Sequence, residues 1–583
     1  MTTIIPNGSP NPALYVQIVS LRTEILNSTI ETADGTLYVS KPFLSSGSKR
    51  LRALIAFTPR TSHFDTNNAQ SGVNEFRGFF TLFWISIFLL TVQSYIHSYE
   101  ATGQPIALAF AAMFSRHAGM LALSDGVLVL STSFCVFFAR LLQKRWISYY
   151  GAGLAIQHTF QALVLATAVT WTFHRQWPWV QSGYLTLHSF VMIMKSHSYM
   201  AVNGYLSWID EQYRETEALL RAACESSAIG GWDKALSDAK AAQPPSPSGS
   251  QLSTQSGSGT PSVQGVVVDG TTKSYIDAPT AVALRNRLLA HVSNDQQEKA
   301  NTSPPPPSSF DILTHHPSSH ISSMAKDLTS MEKELISKGP ERVQWPQNVT
   351  IKNFAEYQLF PTLVYELEFP RTDKIRPLYV LEKTVATFGS FALLYTVTAH
   401  LILPLVPTSD QSFLRSLLDL ALPFMLSYLL LFYIIFECIC NGFAELSRFA
   451  DRGFYEDWVC HSELDIHKWN ATSWDEFARK WNKPVHNFLL LHVYASTISH
   501  YKLSKHSATL VTFLLSAIAH ELVMVVVTKK IRMYLFLLQM IQMPMIALGR
   551  IPAIRRNRTL GNIVFWLGLY AGFPLLCVAY CAY

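Results

Sequence analysis

Apolar and polar positions in this chain segregate into long blocks. Apolar runs occupy Phe79–Ser98, Gly119–Ala139, Gly151–Phe173, Tyr184–Leu206, Thr384–Val406, Phe413–Cys440, Ala508–Thr528, Ile531–Leu548 and Gly561–Ala582. Each has about the 20 residues a helix needs to cross the hydrocarbon core. Lipid offers no water to satisfy backbone groups, so helices are the expected form. The pattern predicts an all-α, polytopic membrane bundle of about nine transmembrane helices. Asn487–Ser499 is a further candidate, apolar but carrying His492.

The blocks divide the chain. Residues 1–75 are polar with weak periodicity and are expected to be a cytosolic N-terminal tail, largely disordered. Residues 76–210 hold a first group of transmembrane helices. Residues 211–350 form a polar connection, with helices predicted at Trp208–Cys224 and Met324–Ser337. Within it, 241–320 is rich in Pro, Ser, Gly and Thr and is expected to be disordered. Residues 351–583 hold the remaining spans. They open on FAEYQLFPTLVYELEFPRTDKIRP, where prolines and aromatic residues suggest a re-entrant or interfacial segment.

Composition agrees with the blocks. The 583 residues are 49 % hydrophobic and only 15 % charged, against about a quarter charged in soluble proteins. Seven scattered cysteines form neither a disulfide framework nor a zinc pattern. The N-terminus lacks a basic stretch followed by an apolar core, so no cleavable signal peptide is expected. The net charge of +6 is modest, and no nucleic-acid partner is expected. Lys49, Arg50, Arg52 and Arg60 precede the first span, and Arg140, Lys144 and Arg145 follow the second. Positive charge stays in the cytosol, which puts the 205–384 and 441–480 connections there too. The basic runs Lys529–Arg532 and Arg550–Arg558 flank a single span and leave the C-terminal end unoriented.

The candidate chemistry lies between Phe454 and Glu521. His520 and Glu521 interrupt an otherwise apolar run, and an ionisable residue in a membrane segment is costly enough to suggest a use. A lone histidine is also compatible with a hydrogen-bonded core residue. The zinc-protease pattern needs a second histidine four residues on, where Met524 stands, so that reading is excluded and no metal is expected. What remains is a neutral imidazole in a low-dielectric site, suited to general-base work on a hydroxyl. In RKWNKPVHNFLLLHVY, Asn482 is either a helix cap or a donor that stabilises an oxyanion. His486 is one turn on and is placed to share its cavity.

Three motifs occur in order: FYEDW (Phe454–Trp458), WNKPVH (Trp481–His486) and HELV (His520–Val523). Supporting stretches are FRGFF (Phe76–Phe80), HSFVMIMKSHSY (His188–Tyr199), FPTLVYELEFPRT (Phe360–Thr372), AELSRFADRGFYEDW (Ala444–Trp458) and NRTLGNIVFWLG (Asn557–Gly568). Together they resemble the fungal sterol-esterifying type of sterol O-acyltransferase, within the membrane-bound O-acyltransferase family. The resemblance covers roughly residues 76–210 and 350–583. It implies an enzyme that moves a fatty acyl group from acyl-CoA to a sterol 3β-hydroxyl, giving steryl esters, with acyl-CoA as co-substrate and no bound cofactor. It implies His520 as the catalytic histidine and Asn482 as its partner, supported by His486 and Glu521. Phe454, Tyr455, Asp457, Trp458, Trp469 and Asn470 then belong to the acyl-CoA-binding motif. A multi-helix bundle, homo-oligomers, a bilayer sterol and the endoplasmic reticulum membrane are implied as well. Diacylglycerol or a secondary-metabolite alcohol is the alternative acceptor. A non-catalytic transporter is the alternative class, although the repeat halves common in transporters are not seen.

The chain departs from the family motif FYxDWWN. It reads FYEDWVCHSELDIHKWN: either Val459 and Cys460 replace the second Trp and the Asn, or ten residues interrupt the motif, and the second account is favoured because removing Val459–Lys468 restores both the motif and its downstream spacing. Trp469 and Asn470 then correspond to the motif's last two residues. Deleting those ten residues is expected to maintain or raise activity.

Overall fold

The structure is a computed structural model that describes residues 29–32, 35–38, 55, 57–62, 65, 77–103, 116–226, 229–243, 308–337, 339–406, 411–455, 473–552, 554 and 557–582. It is helical almost throughout. The sole strand pair among the described residues is a hairpin, β1 (Thr29–Thr32) antiparallel to β2 (Gly35–Tyr38), with Thr29 opposite Tyr38.

Two compact units are present, one of Met1–Glu211 with Lys333–Tyr583 and one of Gln212–Glu332. The larger begins its helices with α1 (Arg77–Thr102), α2 (Ala118–Ser131), α3 (Phe134–Gln143) and α4 (Leu154–Arg175). Between α2 and α3 the Ser131 and Thr132 hydroxyls bond back to the Leu128 and Val129 carbonyls, competition that loosens a helix at that point. The 47-residue α5 (Trp179–Glu225) follows. Gly204 on it admits the Tyr149 ring, which a Cβ there would overlap.

The smaller unit contains the end of α5, α6 (Trp232–Ala241), α7 (Ser309–Leu313) and most of α8 (Ser319–Leu335). Helix resumes at Ser309, inside the stretch expected to lack order. Phe310 is the reason: it packs edge-on against Tyr213 and Trp232. A capping box between Ser308 and Asp311 starts the turn. Residues 244–307 lie outside the described residues.

The larger unit continues with α9 (Ile351–Leu359), α10 (Pro377–Val397), α11 (Phe413–Phe432), α12 (Asn441–Leu446), α13 (Trp474–Lys480), α14 (Lys483–Phe488), α15 (Ser496–Tyr501), α16 (Lys505–Thr528), α17 (Tyr534–Gly549) and α18 (Arg558–Ala582). Six stretches among the described residues are long and apolar enough to cross a membrane: Ala118–Gln143, Tyr149–Arg175, Pro377–Leu405, Phe413–Leu446, Lys505–Thr528 and Thr559–Tyr580. Each coincides with a predicted span. Of the other three, Phe79–Ser98 lies within α1 and Tyr184–Leu206 within α5, and Ile531–Leu548 is helical from Tyr534 onward, in α17. Leu130, Phe388, Leu418, Leu422 and Leu567 turn exposed apolar side chains outward, as a lipid-facing surface requires.

The re-entrant segment after α9 is a buried, non-helical piece of core. Phe360, Leu363, Val364, Tyr365 and Phe369 are all buried. Its backbone groups are satisfied by side chains, as burial demands. Lys195 Nζ donates to the carbonyls of Tyr357 and Phe360 at 2.8 Å each. Ser198 Oγ accepts from Tyr365 N at 2.8 Å. Both donors and acceptors come from α5, within the MKSHSY stretch.

Candidate active site

The site is assembled from two π-helical turns and the segments beside them. Single π turns inside α-helices often mark functional positions. Tyr433–Cys440 extends α11 and carries Glu437; Leu489–Ala495 links α14 to α15 and carries His492.

Glu437 is fully buried and lies at the centre of a charged knot. Lys383 Nζ donates to its Oε1 at 2.8 Å, and Ser62 Oγ, Tyr455 OH and Asn441 Nδ2 donate to its Oε2 at 2.6, 3.1 and 3.1 Å. Beside it Arg376 bridges two buried carboxylates, Asp65 at 2.8 Å and Glu445 at 3.0 Å. Arg452 donates to Glu445 and lies 4.0 Å from Asp65. Hydrogen bonds from Arg376 to Asp65 raise the guanidinium pKa above its ordinary value, although burial opposes the shift. These groups fix the chain that leads into Phe454 and Tyr455, which are 3 % and 7 % exposed.

Aromatic packing ties this first motif to the second. Trp481 stacks on Tyr428 with centroids 4.6 Å apart and lies 4.4 Å from Phe432. Phe432 also meets Tyr455 edge-on at 5.0 Å. The backbone closes the join, with Lys483 N donating to Phe454 O at 3.0 Å. Glu456 to Thr472 lie outside the described residues, and with them Asp457, Trp458, the interruption Val459–Lys468, Trp469 and Asn470.

Asn482 caps α14: its Oδ1 accepts from Val485 N at 3.2 Å. The cap leaves the amide Nδ2 as a donor with no partner among the described residues. His486 sits one turn later, its N–H bonded to the Asn482 carbonyl at 2.9 Å, and both side chains are half-buried.

α16 packs against the π turn Leu489–Ala495, where Ala508 meets Tyr494 and Ala495, and against α17. Here the structure departs from expectation. His520 is exposed, and Glu521 is the buried member of the pair at 4 %. Successive helical residues point about 100° apart, so only one of the two faces the packed interface. Glu521 accepts from Met533 N at 2.7 Å and Phe536 N at 3.0 Å, capping the start of α17. Tyr580 OH on α18 adds a bond at 3.1 Å. Glu521 therefore ties three helices together.

His520 Nδ1 lies 2.8 Å from the Ser516 carbonyl oxygen. A carbonyl only accepts, so Nδ1 carries a proton, and in the neutral tautomer the lone pair lies on Nε2. Nε2 has no partner among the described residues. No group of three or more His, Cys, Asp and Glu side chains is placed to hold a metal ion among those residues.

Residues 95–582 match the membrane-bound O-acyltransferase family. The chain belongs to that family. A probable sterol O-acyltransferase 1 of Schizosaccharomyces pombe is 32 % identical over 534 residues, 90 % of this chain and 85 % of that protein. A sterol O-acyltransferase 2 of Candida albicans is 32 % identical over 521 residues, 87 % of this chain and 75 % of that protein. A diacylglycerol O-acyltransferase 1 of Dictyostelium discoideum is 33 % identical over 244 residues, covering 40 % of this chain and 37 % of that protein.

Sequence reasoning missed Ser62, Asp65, Lys383 and Glu437. Lys383 and Glu437 were available as a signal, two opposite charges at the ends of apolar runs. Nothing in residues 1–75 singled out Ser62 or Asp65.

Proposed function

We propose that this membrane-bound O-acyltransferase esterifies a sterol 3β-hydroxyl with a fatty acyl group from acyl-CoA. The observation that carries the acceptor is the extent of the two sterol O-acyltransferase relatives, each over 87 % or more of this chain, against 40 % for the diacylglycerol relative.

The proposed chemistry runs in one displacement. The sterol O–H gives its proton to His520 Nε2 as the oxygen attacks the thioester carbonyl. The C–S bond then breaks, and the proton passes to the CoA sulfur. General-base assistance of this kind contributes about 10²–10⁴ in rate. The fixed Nδ1–H supports the role, because it presents a single basic nitrogen. Exposure of an imidazole on an apolar helix supports an open chamber there, since hydrocarbon would penalise the ring. Asn482 Nδ2 donates to the developing oxyanion while Oδ1 holds the cap. His486 lines the same cavity one turn on, and Glu521 acts by positioning α16. Phe454, Tyr455, Asp457, Trp458, Trp469 and Asn470 receive acyl-CoA from the cytosol, and the sterol enters from the bilayer. The protein works as a homo-oligomer in the endoplasmic reticulum membrane.

Microsomes holding the protein, given radiolabelled oleoyl-CoA with ergosterol or diacylglycerol offered separately, test the reading. Label in steryl ester is expected. Label in triacylglycerol alone overturns the acceptor assignment, and label in neither overturns both.

A further inference from the structure

Residues 57–62 and 65, ahead of α1, form a strap against the stretch that leads into the acyl-CoA motif. Arg60 forms an isolated parallel bridge with Asp451, its N–H donating to Ala450 O at 3.0 Å and its carbonyl accepting from Arg452 N at 3.2 Å. Thr58 N donates to Asp451 Oδ2 at 3.1 Å. Phe57 packs edge-on against Phe369 and Phe449. Further along, Ser62 and Asp65 are 2 % and 1 % exposed, and they enter the charged knot from the N-terminal side. Three of the bonds described above meet there: Ser62 to Glu437, Asp65 to Arg376, and Tyr455 to Glu437.

The strap also walls a pocket of about 150 Å³. Ile55, Phe57 and Arg60 form one side; Phe454, Lys483 and Asn487 are on the others. The pocket therefore lies at the joint of FYEDW and WNKPVH. A polar tail with no function would not bury a serine and an aspartate against a lysine, two arginines and two glutamates. Each such group gives up hydration and is retained only where partners answer it.

We propose that residues 57–62 and 65 are a positioning element of the acyl-CoA end of the site, acting through Ser62 and Glu437 on Tyr455. This rests on the reading of Phe454–Trp458 as an acyl-CoA element. With Ser62 removed, Glu437 loses its shortest hydrogen bond, and the carboxylate turns toward Lys383 and away from Tyr455. Tyr455 then no longer holds the entrance of the motif in register with Lys483. Acyl-CoA affinity falls, and the sterol side of the reaction is unaffected.

The test uses the full chain in microsomes and two readouts. One is binding of an S-alkyl-CoA analogue that lacks the thioester carbonyl and cannot be transferred. The other is the KM for oleoyl-CoA and for ergosterol, each with the other substrate saturating. Ser62→Ala is expected to raise the analogue Kd and the oleoyl-CoA KM about tenfold, as loss of a hydrogen bond to a charged group implies. The ergosterol KM should stay within about twofold, and Ser62→Thr should restore both values. Tyr455→Phe cuts the same link from the other side, leaves the strap in place and should match Ser62→Ala. It supplies the answer if Ser62→Ala fails to accumulate. Analogue affinity equal to wild type in both variants overturns the proposal. So does an ergosterol KM that rises in step with the oleoyl-CoA KM, which marks a general structural defect. Wild-type protein that binds the analogue but esterifies no sterol fails the acceptor reading alone. Wild-type protein that does not bind the analogue removes the functional reading and this proposal together.

Discussion

Around Tyr455 buried carboxylates are answered by opposite charges and hydroxyls; at His520, which is exposed, one ring nitrogen is held and the other has no partner among the described residues. The knot of Asp65, Arg376, Lys383, Glu437, Glu445 and Arg452 joins residues more than three hundred positions apart. Charges in such an arrangement hold geometry and are spent on one another. His520 bonds only within its own helix, Nδ1 to the Ser516 carbonyl and, at 3.5 Å, to the Ser516 hydroxyl, and Nε2 has no partner among the described residues. The contrast separates residues that hold one another in place from the residue proposed as the base. Exposure, more than burial, marks the second kind here.

The sharpest way to break this contrast is His520→Ala. Transfer should fall by about 10²–10⁴, with microsomal protein level unchanged, because an exposed ring contributes little packing. Substantial retained activity would remove the base assignment. Lys383→Ala should do the opposite. It strands a buried carboxylate, a defect of about 3–5 kcal/mol, read as a lower unfolding temperature of the detergent-solubilised protein. An unaltered unfolding temperature would show that the knot is not what holds this region.

Asn482 stands between the two classes, since one end of its amide caps a helix and the other has no partner among the described residues. Asn482→Asp keeps the cap acceptor and loses the donor. Activity should drop about 10²–10³-fold while the unfolding temperature holds. A parallel loss of stability would assign Asn482 to the cap alone. The smallest effect is expected at Tyr580→Phe, which removes one of the bonds to Glu521 and should cost about 0.5–1.5 kcal/mol. Measured in the same unfolding assay, a loss of several kcal/mol would mean that α18 relies on this single anchor.

Much of the candidate site was legible before folding. WNKPVH and HELV are contiguous, so Asn482, His486, His520 and Glu521 were readable as neighbours in pairs. The apolar runs were equally plain, and helix forms in all nine. Less legible was the division of labour inside a motif. Which of His520 and Glu521 turns inward depends on where α17 and α18 pack, and no local pattern encodes that. The re-entrant segment was suspected from its prolines and aromatics, yet its burial rests on Lys195 and Ser198, roughly 160 residues away along the chain.

The sequence by itself determined that this is a membrane helix bundle and an O-acyltransferase of its family, because hydrocarbon imposes long apolar runs and the chemistry is written in short contiguous motifs. Tertiary structure alone decided that Ser62 and Asp65 pack into the charged knot around Glu437. It also decided which ring nitrogen of His520 is free and that Glu521 is an anchor. The physical reason is common to all three. Paired buried charges, helix caps and side-chain direction are set by partners distant in sequence, and they acquire meaning only when packing brings those partners within hydrogen-bond reach.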